Sequence, residues 1–361
     1  VRQLTLSCTN KLKTHCKLFL YRSIVMVLPW IPFVIMIGFA TAYIGASTFF
    51  FHNPHILHKP KPPTVMHKVK HISHRGGSCE TPENTLSAFR HAIKKGTQML
   101  ELDVRLTKDK KVVVHHDKNL SRLTGVNADI DTLNYDELPP KYSSSIGVTF
   151  EPGLAVDCDP HDTRIALLEE VFQAFPGVPI NVDIKDSPPD ELIDETHKLI
   201  KKYNREKLTV WGSFGEGTVS KCYKKDPEIP VLFSLSGVLK VVLLHYTGLL
   251  PFVPLKESFL EIPMYEKSPW QTNSRFLKGV FWAIMNILGS PRLFRHLNQR
   301  GILVFTWVQN TEEDMEFCFF KKRVNAVMTD KPTLLTKYLE EKGLHKASDH
   351  TPTEAEPLIA N

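Results

Sequence analysis

The chain has 361 residues, of which 42% are hydrophobic and 23% are charged, and this composition excludes both a disordered chain and one wholly embedded in a membrane. A net charge of +6 is too small and too scattered to indicate a nucleic-acid-binding stripe, so no nucleic-acid partner is expected. The six cysteines form no CxxC pair, which argues against a disulfide scaffold or a zinc site.

An uncharged apolar segment, residues 23–51, is the first informative element in chain order. It is long enough to cross a bilayer as one helix, and longer than the apolar centre of about 7 to 15 residues in a cleaved signal peptide. We therefore expect a single transmembrane helix here. A basic segment, residues 1–22, precedes it, and a stiff linker rich in Pro, Lys and His, residues 52–69, follows it.

The orientation of this helix is not set by charge, because basic residues flank it on both sides. The glycosylation sequon Asn119-Leu120-Ser121 lies beside the candidate catalytic residues described below, which disfavours a luminal domain. We expect a single-pass protein of the endoplasmic reticulum or another intracellular membrane.

The body of the chain alternates short apolar strands with helical patterns. Nine strands are predicted, at residues 70–74, 99–103, 112–115, 180–184, 208–210, 231–235, 259–262, 302–307 and 325–328. Most of the intervals are wide enough for a crossover helix, and this alternation indicates a parallel sheet.

The interval between the second and third strands is an exception, because its eight residues are too few for a crossover helix. These two strands must form a hairpin. Eight strands then remain, which is the number that closes a (β/α)8 TIM barrel. We expect an α/β fold with this barrel over residues 70–340, an insertion at about 104–163 and a polar tail over 341–361.

The hairpin also predicts the position of one histidine. A two-residue turn at Asp109-Lys110 pairs Asp103 with His116, or with a neighbour if the register shifts by one or two residues. This pairing brings His116 to the C-terminal rim of the barrel, where barrel enzymes carry their active sites.

Acidic residues lie on two of the predicted strands. Glu101 and Asp103 are two residues apart, so both side chains point into the barrel, where their repulsion favours a hard divalent cation between them. A solvated pair on an edge strand is the alternative. Asp183 adds a third carboxylate, and Lys185 either binds an anionic substrate oxygen or pairs with Asp183.

Two histidines end strands at the same rim. His74 and Arg75 follow the first strand and precede two glycines, while His116 ends the hairpin. Two imidazoles, a metal and Lys185 would supply the general acid, the general base and the charge neutralisation that phosphodiester cleavage requires. For either histidine taken alone, a surface position without function is the alternative.

Taken together, these motifs resemble the glycerophosphodiester phosphodiesterase family. The family pattern His-Arg-Gly, Glu-Asn, Glu-x-Asp, His-Asp is found at His74-Arg75-Gly76, Glu83-Asn84, Glu101-Leu102-Asp103 and His116-Asp117. The resemblance runs from about residue 70 to residue 332 and includes Trp307 and the Val327-to-Pro332 segment. It implies a TIM barrel of the phospholipase C-like phosphodiesterase type.

The resemblance also implies roles for individual residues. His74 and His116 would be catalytic, Arg75 and Lys185 would bind phosphate, Glu101, Asp103 and Asp183 would bind Mg²⁺ or Ca²⁺, and Glu83, Asn84 and Trp307 would contact substrate. The family more often has Glu at the position of Asp183, which is one methylene shorter. Which histidine is the acid and which the base stays open.

The apolar segment and two stretches, residues 204–212 and 248–254, are similar to a membrane-bound animal subgroup. This likeness implies a lysophospholipase D that releases choline or ethanolamine to leave lysophosphatidic acid, and that releases N-acylethanolamines from glycerophospho-N-acylethanolamines. Its partners would be a lysophospholipid or glycerophosphodiester substrate and membrane lipid. Two alternatives stay open: a non-catalytic anchored barrel that binds lipid or a protein, and a phospholipase C-like or sphingomyelinase D-like reaction.

Two further segments, residues 237–250 and 276–288, are more apolar than a solvent-facing barrel helix needs to be. Neither is long enough to span a bilayer. Burial against the barrel and insertion into the membrane interface are the two interpretations.

Overall fold

The computed structural model describes residues 26, 28–158, 164–185, 189–267 and 274–344. The predicted basic segment of residues 1–22 lies outside this range, as does the predicted tail after residue 344. The strands are β1 (His71–Ser73), β2 (Met99–Leu106), β3 (Val112–Val114), β4 (Ser145–Gly147), β5 (Ala155–Asp157), β6 (Ile180–Ile184), β7 (Thr209–Gly212), β8 (Phe259–Pro263), β9 (Leu303–Trp307) and β10 (Ala326–Thr329).

The helices alternate with these strands. They are α1 (Ile31–His52), α2 (Leu86–Lys94), α3 (Ser121–Thr124), α4 (Leu168–Ala174), α5 (Pro189–Lys202), α6 (Glu216–Lys225), α7 (Leu235–Tyr246), α8 (Arg275–Leu288), α9 (Pro291–Gln299), α10 (Glu312–Glu316) and α11 (Pro332–Glu341). Short 3₁₀ turns lie at Leu28–Trp30, Pro54–Ile56, Val65–Lys68, His74–Gly76, Ile130–Thr132, Tyr135–Glu137 and Leu250–Phe252, and a π-helical segment covers Phe317–Lys322.

The parallel strands form one sheet in the order β7-β6-β2-β1-β10-β9-β8. Val231 and Leu232 close the remaining gap, because they form parallel bridges to Trp211 of β7 and Phe259 of β8. Eight parallel segments therefore surround one interior, and the predicted TIM barrel is confirmed.

Two local predictions need correction. The predicted strand at residues 231–235 is shorter, because Ser234 caps the N-terminus of α7. The hairpin of β2 and β3 is present, but its predicted register is wrong by one residue, and His115 donates its backbone N–H to the Asp103 carbonyl at 2.9 Å. The turn has three residues because Lys110 adopts a left-handed conformation with φ of 62°.

Side-chain alternation along β2 explains how charges enter the barrel. Leu100, Leu102 and Val104 are buried among the surrounding helices, whereas Glu101 and Asp103 point into the interior. Below them, an apolar plug fills the barrel, and it includes Met66, Val69, Ile72, Met99, Val210, Phe259, Leu303 and Phe305. The acids are thus held between an apolar floor and the open C-terminal rim.

The segment of residues 52–69, for which a stiff linker is predicted, packs against the lower part of the barrel. Met66 is fully buried in the plug, and the Lys61 backbone N–H donates to the Arg300 carbonyl at 3.0 Å. Gly301 permits this approach, because a Cβ there would lie 2.5 Å from the Lys61 carbonyl oxygen.

The apolar segment forms a continuous helix. Leu28–His52, 25 residues with a mean hydropathy of 1.8, is long and apolar enough to cross a membrane, and none of its most apolar window is buried against the barrel. The regular α-helix starts at Ile31 rather than at residue 23, with Pro32 in its first turn. Residues 23–25 and 27 of the predicted span lie outside the described residues.

Candidate active site

A pocket opens at the C-terminal ends of the barrel strands, with an empty volume of about 740 Å³ including its mouth, which is a usual size for a small-ligand site. Its charged and polar lining consists of His74, Arg75, Glu101, Asp103, His116, Asn181, Asp183, Lys185, Ser213 and Glu261. Phe150, Phe214, Leu232, Phe233, Trp307 and Met328 complete it. Eight of the ten predicted site residues therefore meet in one place.

His74 is held by a buried carboxylate. Its Nδ1 lies 2.7 Å from Asp330 Oδ1, and the same carboxylate accepts hydrogen bonds from Ser78 at 2.6 Å and from Asn310 at 3.1 Å. Burial alone would raise the pKa of Asp330, but the charge of His74 and these hydrogen bonds lower it. Asp330 therefore stays ionised, keeps the proton on Nδ1 and leaves Nε2 of His74 for the pocket.

His116 is held in the same way, but it is more exposed. Its Nδ1 lies 2.7 Å from Asp117 Oδ1, and Arg122 Nε donates to Asp117 Oδ2 at 2.5 Å. Burial raises the pKa of Asp117, but the hydrogen bonds from His116 and Arg122 outweigh it and lower the pKa below the ordinary value. Each histidine thus has one nitrogen fixed by a carboxylate, the arrangement in which an imidazole acts as a general acid or base.

Arg75 connects the charged groups beneath the two histidines. It has a left-handed φ of 51°, and its backbone N–H donates to Glu101 Oε2 at 2.8 Å. Its guanidinium donates to Glu83 at 3.0 Å and lies 3.3 Å from Asp103. Glu83 also accepts two hydrogen bonds from Arg122, at 2.7 and 2.9 Å. A chain of ion pairs therefore links Arg75 to the residues that position His116.

The predicted acids on β2 and β6 meet because the two strands pair in parallel, with Asp103 directly beside Asp183. Lys185 bridges them, with its Nζ 2.6 Å from Asp183 and 2.9 Å from Asp103. Burial raises the pKa of Asp183, and the neighbouring Asp103 charge adds to the shift. For Asp103, burial is outweighed by Lys185 and Arg75, which lower its pKa.

Glu101 and Glu261 are buried acids whose surroundings disfavour the charged form. Burial raises the pKa of Glu101 well above its ordinary value, and repulsion from Asp103 contributes to the same shift. Burial, with repulsion from Glu101, raises the pKa of Glu261 to about 8. Glu261 also accepts a hydrogen bond from Asn181 at 2.7 Å. Among the described residues, four carboxyl groups thus line the pocket together with two Lys or Arg side chains, Arg75 and Lys185.

The donor set fits a divalent cation. Asp183 Oδ1 is buried without a hydrogen-bond partner among the described residues, and burial together with repulsion between the carboxylates raises the pKa values of Glu101 and Glu261, which a bound cation would counteract. Carboxylate oxygens are the ligands that Mg²⁺ and Ca²⁺ prefer. Among the described residues, no three His, Cys, Asp or Glu side chains are already arranged to coordinate a metal ion. Lys185 instead bridges two of the acids, Asp103 and Asp183.

Aromatic side chains cover another side of the pocket. The rings of Phe150 and Phe214 make edge contacts with Trp307 at 6.3 and 5.9 Å between centroids, and Phe150 contacts His74 at 5.5 Å. Phe150 comes from the insertion and Phe214 from the loop after β7. The pocket therefore offers a charged surface and an apolar surface to the same ligand.

Glu83 and Asn84, for which substrate contacts are predicted, do not line the pocket. Both are buried behind it, where Glu83 binds Arg75 and Arg122, and Asn84 donates to Asp103 at 2.9 Å. Their position indicates that they hold other site residues in place.

Several site residues are absent from the sequence-based set: Asn181, Ser213, Phe150, Phe214, Glu261, Arg122 and Asp330 as the partner of His74. Glu261 could have been found, because it is the lone acid in the apolar Phe259–Pro263 strand and alternates with Leu260 and Ile262. Arg122 and Phe150 lie in the insertion and carry no comparable signal.

Residues 74–334 match the model of the glycerophosphoryl diester phosphodiesterase family, and the chain belongs to this family. It is a phosphodiesterase, and enzymes of this family generally depend on a divalent metal.

The human lysophospholipase D GDPD1 is 48% identical over 302 residues, covering 82% of this chain and 94% of the relative. The human lysophospholipase D GDPD3 is 37% identical, with coverage of 84% and 94%. A glycerophosphodiester phosphodiesterase structure from Thermotoga maritima aligns with a TM-score of 0.52 at 25% identity, covering 74% of this chain and 97% of that one. The corresponding domain of a Mycobacterium tuberculosis protein aligns with a TM-score of 0.59 at 16% identity, covering 75% and 98%, and supports the fold alone.

Proposed function

We propose that this chain is a membrane-anchored lysophospholipase D that hydrolyses lysophospholipids and glycerophosphodiesters with the help of a divalent cation. One observation supports the proposal above all. Two carboxylate-bound histidines, His74 and His116, line a pocket that also holds an acidic cluster, two cations and an aromatic surface. The relatives named lysophospholipase D support the same reaction type.

In the proposed reaction, one imidazole removes a proton from the nucleophile, and a new P–O bond forms. The bond from phosphorus to the leaving alcohol breaks, and the other imidazole protonates that alcohol. With water as the nucleophile and a lysophospholipid as the substrate, the products are lysophosphatidic acid and choline or ethanolamine. A hydroxyl of the substrate's own glycerol, attacking first, gives a cyclic phosphate.

Arg75 and Lys185 stabilise the phosphate oxygens in this proposal. Burial would lower the pKa of Lys185, but Asp103 and Asp183 raise it, so the ammonium keeps its charge. Both cations are fixed by carboxylates before substrate arrives, and such preorganised charges favour a transition state in which negative charge develops. Glu83 and Asn84 act as positioning residues for Arg75 and Asp103.

Glu101, Asp103 and Asp183 would hold the divalent cation, either Mg²⁺ or Ca²⁺. When bound, the cation supplies Lewis-acid charge that neutralises phosphate oxygen. Asp183 reaches less far than a glutamate would, but the parallel register of β2 and β6 brings it directly beside Asp103.

A lipid substrate gives a reason for the apolar helix. We propose that α1 anchors the chain as a single-pass protein in the endoplasmic reticulum or another intracellular membrane, so that the active site lies close to substrates dissolved in that membrane. Trp307, Phe150 and Phe214 would contact the glyceryl and acyl parts of the substrate. N-acylethanolamine release from glycerophospho-N-acylethanolamines uses the same bond cleavage.

Product analysis tests this proposal. Full-length chain in detergent or nanodiscs is incubated with lysophosphatidylcholine, and products are identified by mass spectrometry with and without a chelator. We expect lysophosphatidic acid and choline, formed only with a divalent cation. Formation of monoacylglycerol and phosphocholine would instead identify a phospholipase C-like reaction and overturn the proposal.

A further inference from the structure

Helices α7 and α8 each bury one face and present an apolar face that no other described residue covers. In α7, Val238, Val241 and Val242 are buried in the barrel core, whereas the opposite side is exposed by more than half. The exposed apolar side chains of the two helices are Leu235, Leu239, Leu243, Tyr246, Phe276, Leu277, Val280, Trp282, Ile284 and Ile287. We call this set the helix-pair surface.

Helices α5 and α6, on another side of the barrel, do not share this property. The exposed faces of α5 and α6 carry ion pairs, including Lys221 with Asp190 at 2.7 Å and Lys225 with Asp194 at 2.6 Å. Such charged faces are usual for a helix in contact with water. The helix-pair surface is therefore a local departure, and a large exposed apolar patch commonly marks a binding surface.

The helix-pair surface continues into the contact with α1. Tyr246 at the end of α7 donates to the Ile287 carbonyl of α8 at 3.1 Å and so joins the two helices. The two residues that follow α7 contact α1. Ser47 of α1 donates to the Gly248 carbonyl at 2.6 Å, and Tyr43 of α1 donates to the Thr247 carbonyl. The helix that can span a bilayer is thus attached at the end of this surface.

Gly248 allows α1 to approach the end of α7 closely. It has a φ of 75°, and a Cβ there would lie 2.8 Å from Ser47 Oγ. Phe50 of α1 adds an edge contact with Phe252 at 5.8 Å between ring centroids. These contacts hold the barrel against the anchor, so the bilayer that surrounds α1 adjoins the helix-pair surface.

At its other end, the helix-pair surface reaches the active-site pocket. The backbone N–H of Leu235, the first residue of α7, donates to the Phe214 carbonyl at 3.0 Å. Phe214 lines the pocket, is 56% exposed and contacts Trp307. Apolar side chains therefore follow one another from the pocket to the outer face of α7.

We propose that the helix-pair surface lies in the lipid interface of the bilayer, as a second membrane contact beside α1. The acyl chain of the substrate then passes between lipid and pocket along Leu235 and Phe214. Aromatic side chains such as Trp282 and Tyr246 suit the headgroup region, and the exposed Lys240 and Lys278 can extend to lipid phosphates. The part concerning substrate entry rests on the proposed function.

The test compares two substrates with full-length chain in proteoliposomes. The variant carries Leu239→Glu and Trp282→Glu, and a control of equal added charge carries Val126→Glu and Phe320→Glu, at positions that are 44% and 46% exposed. We expect the first variant to lose ~10-fold or more of its activity on lysophosphatidylcholine within vesicles, since two large apolar side chains lose their burial in lipid. Its activity on water-soluble glycerophosphocholine should stay unchanged, and the control should match wild type on both substrates.

Bromolipid quenching provides a readout that does not depend on catalysis. Vesicles with brominated acyl chains should quench tryptophan fluorescence more strongly in wild type than in Trp282→Phe. Equal quenching in both proteins overturns the proposal, as does full vesicle activity of the double Glu variant. If wild type cleaves neither substrate, the proposed function fails while the quenching result still decides the membrane contact. If wild type is a dimer that the Leu239→Glu and Trp282→Glu variant dissociates, and the quenching in wild type equals that in Trp282→Phe, the surface is a contact between copies of the chain. This result also overturns the proposal.

Discussion

The two sides of the active-site pocket are built on different principles. On the charged side, from β1, β2 and β6, both cations are held by two carboxylates each, Lys185 by Asp103 and Asp183 and Arg75 by Glu83 and Asp103. The aromatic side, with Phe150, Phe214 and Trp307, is held by edge contacts between rings, and Phe214 is more than half exposed. The charged side is suited to a reaction centre common to all substrates, and the aromatic side to the parts in which substrates differ.

Removal of a histidine from the charged side should have the largest effect. His74→Ala and His116→Ala should each lower kcat by ~10² to 10⁴, because each loses a positioned proton donor or acceptor. The measurement is steady-state hydrolysis of glycerophosphocholine. His197→Ala is the matched control, since His197 also pairs with a carboxylate, Asp226 at 3.1 Å, but lies outside the pocket. Near-wild-type activity of His116→Ala would refute its proposed role.

Metal removal tests the acidic cluster of the same side. A chelator should abolish activity on both soluble and lipid substrates, and added Mg²⁺ or Ca²⁺ should restore it. Asp183→Asn should raise the metal concentration needed for half-maximal activity by ~10-fold or more, because a carboxylate ligand is lost. Calorimetric titration of the metal checks the affinity without turnover. An unchanged metal affinity would exclude Asp183 as a ligand.

A substitution on the aromatic side should separate the two kinds of substrate. Trp307→Ala should lower kcat/KM for lysophosphatidylcholine by ~10-fold more than for glycerophosphocholine, since both substrates lose the contact with the glyceryl part but only the lipid substrate also loses the apolar contact of its acyl chain. Parallel kinetics on both substrates provide the measurement. An equal loss on both would mean that the aromatic side supports the reaction centre rather than the acyl group.

The pH dependence of stability should show the smallest effect. The pKa of Glu261 is raised to about 8, so the folded metal-free chain binds more protons than the unfolded chain between the ordinary glutamate value and about 8. Stability should therefore fall as pH rises through this window. Glu261→Gln should reduce the accompanying fall in Tm by ~2 to 4 °C. Thermal unfolding at several pH values measures it, with the exposed Glu228→Gln as control, and an unchanged slope would contradict the assignment.

Much of the charged side could be predicted from sequence, because its side chains follow the two-residue alternation of a β-strand. Glu101 and Asp103 alternate with buried leucines, and any barrel strand with this pattern turns both acids inward. The apolar span was equally predictable, since its length and lack of charge are properties of the chain itself. The hairpin between β2 and β3 was expected for the same kind of reason, because too few residues separate the strands for a helix.

Other features depend on contacts between distant segments. The hairpin register differed by one residue because the left-handed Lys110 lengthens the turn, and nothing in the strand pattern forces that conformation. Asp330 meets His74 only because the barrel closes, which joins residues 256 positions apart. The alternation of polar and apolar residues in the sequence determined which side chains point into the barrel. Closure of the barrel decided which of these side chains meet, because the first and last strands pair only in the closed sheet.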